Sequence, residues 1–327
     1  MQASDFLKRG ARTPLHELFL AGGAVCEIRT NSTSILKAAR DSFLPAAATD
    51  VVEFGMRFWE DSRVGGQAPW PKPYVRGLDQ MVFAGFDCGS AVLINLRSRE
   101  AIGRFSAGMA RDSGYWAEVI LPMIVSIAAG ALGMAELHCA CVAKNQNGLL
   151  LAGPSRSGKS TLSLALSQAG FEFLSDDRTL CSLRAGQLLA WGMPVSPKLR
   201  REAAAWFPQL RGKEPRHLQK GELVFRCSPA GDLRFNRVRV CEPQCVIFLE
   251  QKAGSGFELG PMPREDAVTR LEKDLMSELP ETVEAQAAII DRLADLPRWH
   301  LQYSAPPQIV AERLSLHFDR LAVQAPQ

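Results

Sequence analysis

The 327-residue chain has no CxxC pair, no low-complexity tract, no internal repeat and little net charge, +3. Each absence excludes something. Lysines and arginines spread along a nearly neutral chain give no basic face for nucleic acid or an anionic membrane. The longest uncharged apolar run, Val119–Ala135, falls short of a membrane span and contains Pro122, Gly130 and Gly133, so it reads as a helix buried inside the protein. The N-terminal residues hold no continuous apolar stretch of signal-peptide type, which makes the cytoplasm the default expectation. The eight cysteines then read as reduced, mostly buried thiols. Cys139 and Cys141 would share one strand face and line a core; a zinc site is the lesser alternative.

What is present is ordinary globular composition, 46% hydrophobic and 22% charged. The length favours two domains. Residues 1–80 are weakly patterned, with a helix expected at Thr33–Ser42 and a loop or linker at Val64–Gly77. They are expected to form a smaller α+β domain that helps select the substrate, followed by a catalytic domain over residues 81–327. In the latter, strand-like runs on either side of Gly89-Ser90 suggest a hairpin. A helix is expected at Tyr115–Met134. Strands are expected at Leu137–Ala143 and Gly148–Gly153, joined by a turn over Lys144–Gly148 with Asn-Gly at its end. Further helices are expected at Arg264–Ser277 and Val310–Phe318. The fold class is α/β, a mixed sheet flanked by helices.

The strongest signal is Gly153-Pro-Ser-Arg-Ser-Gly158-Lys159-Ser160, which fits G-x-x-x-x-G-K-[ST] and is extended by Thr161. Average residue usage puts a chance match at about one per cent for a chain of this length. An apolar strand precedes the loop and an amphipathic helix follows, the setting a phosphate cradle requires. Glycines let the backbone curl close to phosphates, and the N–H groups and dipole of the helix start favour anionic oxygens. Backbone and side chains of Gly153, Ser155, Arg156, Ser157, Gly158, Lys159, Ser160 and Thr161 would hold the nucleotide. Lys159 would neutralise phosphate charge, and the Ser160 hydroxyl would ligate Mg²⁺. ATP with Mg²⁺ is the expected pair.

Asp176 and Asp177 follow directly on the strand expected at Phe171–Asp177, and carboxyl ends of strands are where α/β sheets bind ligands. Two carboxylates beside Mg²⁺ can divide the work: one holds metal or its water, the other accepts the proton of an attacking hydroxyl.

The stretch from Leu137 to Asp177, with His138 fifteen residues before Gly153, the loop, a helix and a strand ending in Asp-Asp, resembles the catalytic core of the HPr kinase/phosphorylase family. That resemblance implies the fold shared with phosphoenolpyruvate carboxykinase. It implies a catalytic role for Asp176 as proton acceptor, for His138 beside the transferred phosphate and for Lys159, with Asp177 on the metal side. Relatives in that family are often oligomeric, which allows a homo-oligomer here. Two departures narrow it. Thr161 stands where the bifunctional enzymes have Glu, and Met193–Leu210 lacks their second, glycine-rich signature. HPr as substrate and the reverse phosphorolysis are tied to that signature. A kinase acting on a serine-like hydroxyl of another protein, peptide or small molecule therefore fits better.

Two other readings stay open: a small-molecule kinase of shikimate-kinase type, and a nucleotide-dependent switch that transfers nothing. The basic segment Leu210–Glu222 reads as a solvated loop or a flap over phosphate. Arg234, Arg237 and Arg239 would share one strand face, where one could serve as a cis arginine.

Overall fold

The computed structural model describes residues 12–322, apart from 216, 220, 230, 232, 255, 274 and 276–278. Its contacts divide into two units: Met1–Gly133 with Ser277–Val283, and Met134–Met276 with Glu284–Gln327.

In the first unit eight strands form one mixed sheet. They are β1 (Leu15–Ala21), β2 (Ala24–Thr30), β3 (Leu44–Pro45), β4 (Phe54–Asp61), β5 (Tyr74–Leu78), β6 (Met81–Gly85), β7 (Ala91–Asn95) and β8 (Glu100–Ser106). The order is β3-β1-β2-β4-β8-β7-β6-β5, with β2/β4 and β4/β8 parallel. The strands alternate: Phe54, Met56 and Phe58 of β4 are buried, while Phe83, Leu93 and Ile102 form an exposed cross-strand row. Helix α1 forms at Thr33–Ser42, the span expected from the sequence, and it contacts β1 and β2 with Ile35, Leu36, Ala38 and Ala39 buried. The hairpin expected around Gly89-Ser90 is β6–β7.

Three expectations for this region need correction. A domain boundary after residue 80 would cut the β5–β6 hairpin, in which Tyr74 pairs with Gly85 and Leu78 with Met81; the contact division falls after Gly133. The loop expected over Val64–Gly77 ends early, because β5 begins at Tyr74. The helix expected at Tyr115–Met134 is broken. After α2 (Ala107–Arg111) and α3 (Ser113–Tyr115), a π turn covers Trp116–Ile120, α4 runs from Leu121 to Ala128, and a 3₁₀ turn follows at Gly130–Leu132. Pro122 has no N–H to give the preceding turn, which is where the ladder slips to the wider π spacing. The run is buried as expected, with Trp116, Ile120, Leu121 and Ile124 inside.

The second unit carries β9 (Met134–Leu137), β10 (Ala140–Lys144), β11 (Asn147–Ala152), α5 (Lys159–Gln168), β12 (Glu172–Ser175), β13 (Thr179–Arg184), β14 (Gln187–Gly192), β15 (Lys198–Arg200) and α6 (Arg201–Ala204). It continues with β16 (His217–Gln219), β17 (Glu222–Arg226), β18 (Val240–Gln251), β19 (Phe257–Pro261), α7 (Arg264–Glu272), α8 (Val283–Ala294), β20 (Arg298–Tyr303) and α9 (Pro307–Leu321). The nine-stranded sheet runs β12-β10-β11-β18-β14-β13-β9, and β20 with β19 branches from β18. Strands β11, β18 and β20 are parallel, so their carboxyl ends lie together.

Buried side chains cover both faces of that sheet. Leu150, Val246 and Phe248 pack with Leu271 of α7 and Ile289, Ile290 and Leu293 of α8. Leu149, Leu151, Ile247 and Leu249 pack on the opposite face with Leu162 and Leu166 of α5 and Val310, Leu314 and Phe318 of α9. The result is a mixed sheet between two helical layers. A small sheet, β15-β17-β16, docks through Leu199 and Phe225 onto Leu164 of α5 and Phe173 of β12.

The strand expected at Leu137–Ala143 is two strands, β9 and β10, separated at His138-Cys139 and paired with different neighbours: β9 with β13, β10 with β11 and β12. The turn after β10 uses Asn145 and Gln146, both at positive φ (53° and 70°), so Asn147 already belongs to β11. Seven cysteines are buried and Cys88 is exposed; Cys141 and Cys241 place their sulfurs 3.7 Å apart as unpaired thiols. Helix α7 stops at Glu272, short of the expected Ser277, which lies outside the described residues. Among the described residues no helix is long and apolar enough to cross a membrane.

Trp116 is the anchor of the first unit's core. It is fully buried, its ring lies 4.7 Å from Phe105 and 5.3 Å from Phe58, and its indole N–H donates to the Met109 carbonyl at 3.0 Å. Trp116→Phe should cost about 1–3 kcal/mol, through the lost hydrogen bond and the space that the smaller ring leaves. Trp116→Ala should cost about 3–5 kcal/mol. Urea unfolding followed by far-UV circular dichroism orders the two variants; a Trp116→Phe variant as stable as the parent would show that the hydrogen bond contributes nothing.

Candidate functional site

The loop between β11 and α5 starts where a parallel strand ends and a helix begins. Gly153 has φ +150°, and a Cβ there would sit 2.8 Å from the Leu249 carbonyl and 2.7 Å from Ser157 Oγ. Gly158 has φ +93°, and its Cβ would run into the Tyr303 hydroxyl. At these two positions only glycine fits without displacing β18 or β20. The Tyr303 hydroxyl donates to the Ser157 carbonyl at 2.8 Å, fastening the loop to the end of β20. Burial pushes the Tyr303 phenol up from its ordinary range, so it remains a donor. The Lys159 ammonium donates back to the carbonyls of Gly153 (2.6 Å) and Pro154 (3.1 Å), which closes the loop into a ring. The N–H groups of the first turn of α5, which have no partner within a helix, open on the same side.

A cavity of ≈ 1020 Å³ lies over this loop, within the second unit. Of the sequence-predicted residues, it is lined by His138, Ser155, Arg156, Gly158, Lys159, Ser160, Thr161, Asp176 and Asp177. Gly153 and Ser157 are not in its wall. Ser157 is buried, with its Oγ turned toward Gly153 and without a hydrogen-bond partner. Their part is the backbone shape of the loop.

The two acids differ sharply. Asp176 is buried, and its Oδ2 accepts from the Lys198 backbone N–H at 3.1 Å. Loss of solvent pushes its carboxyl up to about 6; the Lys198 N–H pulls it down, Asp177 pushes it up, and the Lys198 charge and Ser160 hydroxyl pull it down. Asp177 is half exposed, with Oδ1 3.5 Å from His138 Nδ1. His138 reaches that place because β9 and β10 separate there. The separation is tied down from the other side: the Thr179 hydroxyl donates to the Cys139 carbonyl at 2.9 Å and shares a 2.5 Å bond with Ser175. One hydroxyl thus fixes both the histidine bend and the turn that carries the acids.

The donor set suits a hard cation only in part. The Ser160 hydroxyl and the carboxylates of Asp177 and Asp176 are oxygen donors at one cavity. Among the described residues no group of three or more His, Cys, Asp or Glu could hold a metal ion by itself. Mg²⁺ keeps several waters and is usually completed by substrate phosphates, so one or two protein oxygens would hold it only together with a bound phosphate. The zinc alternative for the cysteines finds no such cluster either.

Sequence reasoning missed several wall residues. Tyr303 and Gln251, at the carboxyl ends of β20 and β18, carry no local motif and show only in the strand topology. Lys198, Arg200 and Arg201, read only as part of a segment lacking a family signature, line the cavity, as do Trp206, Glu222 and Leu223. In contrast, Arg237 lies outside any strand; it stacks over Phe173 at 5.6 Å and donates to the carbonyls of Met193, Pro194 and Val195. It is a structural clamp, and the shared strand face expected for Arg234, Arg237 and Arg239 does not form, because β18 begins at Val240. Within the basic segment Leu210–Glu222, His217–Gln219 form the edge strand β16; 216 and 220 lie outside the described residues.

A stability effect follows from Asp176. Its carboxyl titrates at about 6 when folded, against 3.8 ordinarily. Between those values the folded protein holds a proton that the unfolded chain has lost. The contribution of Asp176 to stability is therefore fully present below about pH 4 and is lost as the pH rises through about 6, a difference of about 3 kcal/mol. Asp176→Asn should raise the thermal midpoint at about pH 8 and converge with the parent near pH 4. An Asn variant less stable at every pH would show that the carboxylate is paired and not strained.

No protein-family model and no curated protein matches the chain. Among solved structures, the HPr(Ser) kinase/phosphatase from Coxiella burnetii aligns with 57% of this chain and 96% of that one, at 15% identity and a TM-score of 0.30. It is a weak structural neighbour.

Proposed function

We propose that the chain is an ATP- and Mg²⁺-dependent phosphotransferase that moves the γ-phosphoryl group to a serine-like hydroxyl. The observation that supports this reading most is the meeting, at one cavity, of the Gly153–Thr161 loop and a buried carboxylate, Asp176, that titrates near neutrality. A phosphate-binding loop alone would suit a switch or a hydrolase equally well. A desolvated base beside it gives the site a place to accept a proton from an attacking alcohol.

In this reading the loop N–H groups and Lys159 hold the phosphates, Lys159 leaving its loop carbonyls to do so. Mg²⁺, when bound through the Ser160 hydroxyl and Asp177, would supply charge neutralisation at the phosphates. Asp176 takes the hydroxyl proton, and burial tunes it to do so without remaining protonated at neutral pH. His138, oriented by Asp177, faces the same space and can donate to phosphate oxygens. Catalysis is then mostly positioning and electrostatics.

The test is transfer of label from γ-labelled ATP to acceptors in an extract of the protein's own source. Asp176→Asn should lose about 10²- to 10⁴-fold in rate with nucleotide affinity nearly kept. Lys159→Ala should lose both. With the parent protein, the rate should fall as the pH drops through about 6, where Asp176 takes up its proton. Phosphate release without labelled acceptor, indifferent to Asp176→Asn, would favour the switch.

A further inference from the structure

One carboxylate at the cavity wall is shared by two arginines. Glu222 Oε1 lies 3.2 Å from Nη2 of Arg156, and its Oε2 lies 3.1 Å from Nε of Arg200. All three residues line the cavity. Arg156 belongs to the loop itself and is held at φ +72°, a conformation uncommon for a residue with a side chain. Arg200 ends β15, and Glu222 opens β17. In that antiparallel pair Arg200 stands opposite Val224, so Glu222, two residues away, shares its face. The register of the small sheet thus delivers the carboxylate to Arg200, and the loop delivers Arg156 to the same carboxylate.

Two guanidinium groups converging on one oxyanion are the arrangement that phosphate recognition uses. The pairs are solvent-accessible, with side-chain exposures of 70% for Arg156, 39% for Arg200 and 44% for Glu222. Such pairs are weak and readily exchanged. They are poorly suited to holding the small sheet in place and well suited to being replaced by a more highly charged anion.

We propose that Glu222 is a placeholder: it occupies the site of a phosphate oxyanion between Arg156 and Arg200, and the bound nucleotide displaces it. Arg200 thereby becomes a phosphate-contacting residue contributed from outside the loop. Glu222 competes with nucleotide and sets its affinity. The proposal rests on the phosphate-binding reading above.

The experiment is equilibrium binding of Mg·ATP to the full chain, by calorimetry, for the parent, Glu222→Gln, Arg200→Ala, the double variant, and Glu214→Gln. Glu214 pairs with Arg201 at 3.4 Å, with both side chains about 70% exposed, so its variant removes the same charge nearby without touching the shared bridge. Glu222→Gln should tighten binding about three- to tenfold, the range two exposed ion pairs allow. Arg200→Ala should weaken binding, and in its background Glu222→Gln should gain less. Glu214→Gln should change nothing. Urea midpoints check that each variant is folded. A parent that binds Mg·ATP with an unchanged or weakened Glu222→Gln variant overturns the placeholder alone, and so does equal tightening by Glu214→Gln. A folded parent that binds no nucleotide overturns the phosphate reading and this proposal with it.

Discussion

Strand β18 is the constraint on which the second unit depends. Its twelve residues pair in parallel with β11 along one edge; along the other they pair with β14 near the start and β20 toward the end. Val246, Ile247, Phe248 and Leu249 in succession are buried, which is possible only because helices cover both faces. Parallel pairing forces the ends of β11, β18 and β20 to the same side. The loop leaves β11 there, Gly153 closes against the Leu249 carbonyl of β18, and Tyr303 of β20 holds the Ser157 carbonyl. The site is therefore a consequence of strand direction before it is a consequence of any motif.

Within that frame the acids are sorted by solvent. Asp176 and Asp177 are neighbours in sequence, yet one is buried and the other half exposed. The chain bends as it leaves β12, and Asp176 turns inward against the Lys198 N–H while Asp177 turns toward His138. Burial raises the proton affinity of Asp176, while Asp177 lies half exposed beside His138. Two identical residue types thus acquire different chemistry from position, with the Lys198 N–H limiting how far the shift goes.

Much of this was legible in the sequence, and the parts that were not share a cause. Helix α1 could be read because its start, period and end are local. The loop could be read because its glycines answer a steric demand that any neighbouring strand would impose. The interruption at His138-Cys139 could not, because "LHCACVA" is apolar apart from His138 and only the pairing partners of β9 and β10 separate the two pieces. Tyr303, Gln251 and Glu222 join the site from strands remote in sequence, through register alone. Strands β1, β2 and β4 went unread in a region that looked weakly patterned; the alternation in Ala24–Thr30, buried at every second residue, was the available signal.

The basic character of the cavity wall carries a further consequence for how binding and chemistry are separated. Arg156 and Arg200 each already face a carboxylate at the surface, where water and salt keep such pairs weak. They can release one anion and accept another with little change in the rest of the fold. Asp176 is held the opposite way, in a buried place and by backbone, so that it cannot move to meet a ligand and its proton affinity is set in advance. In the proposed reading, the groups that would recognise charge are exchangeable, and the group that would take a proton is fixed. That division follows from depth in the structure: the arginines stand on a small peripheral sheet and a loop, whereas the acid stands at the end of a strand of the central sheet.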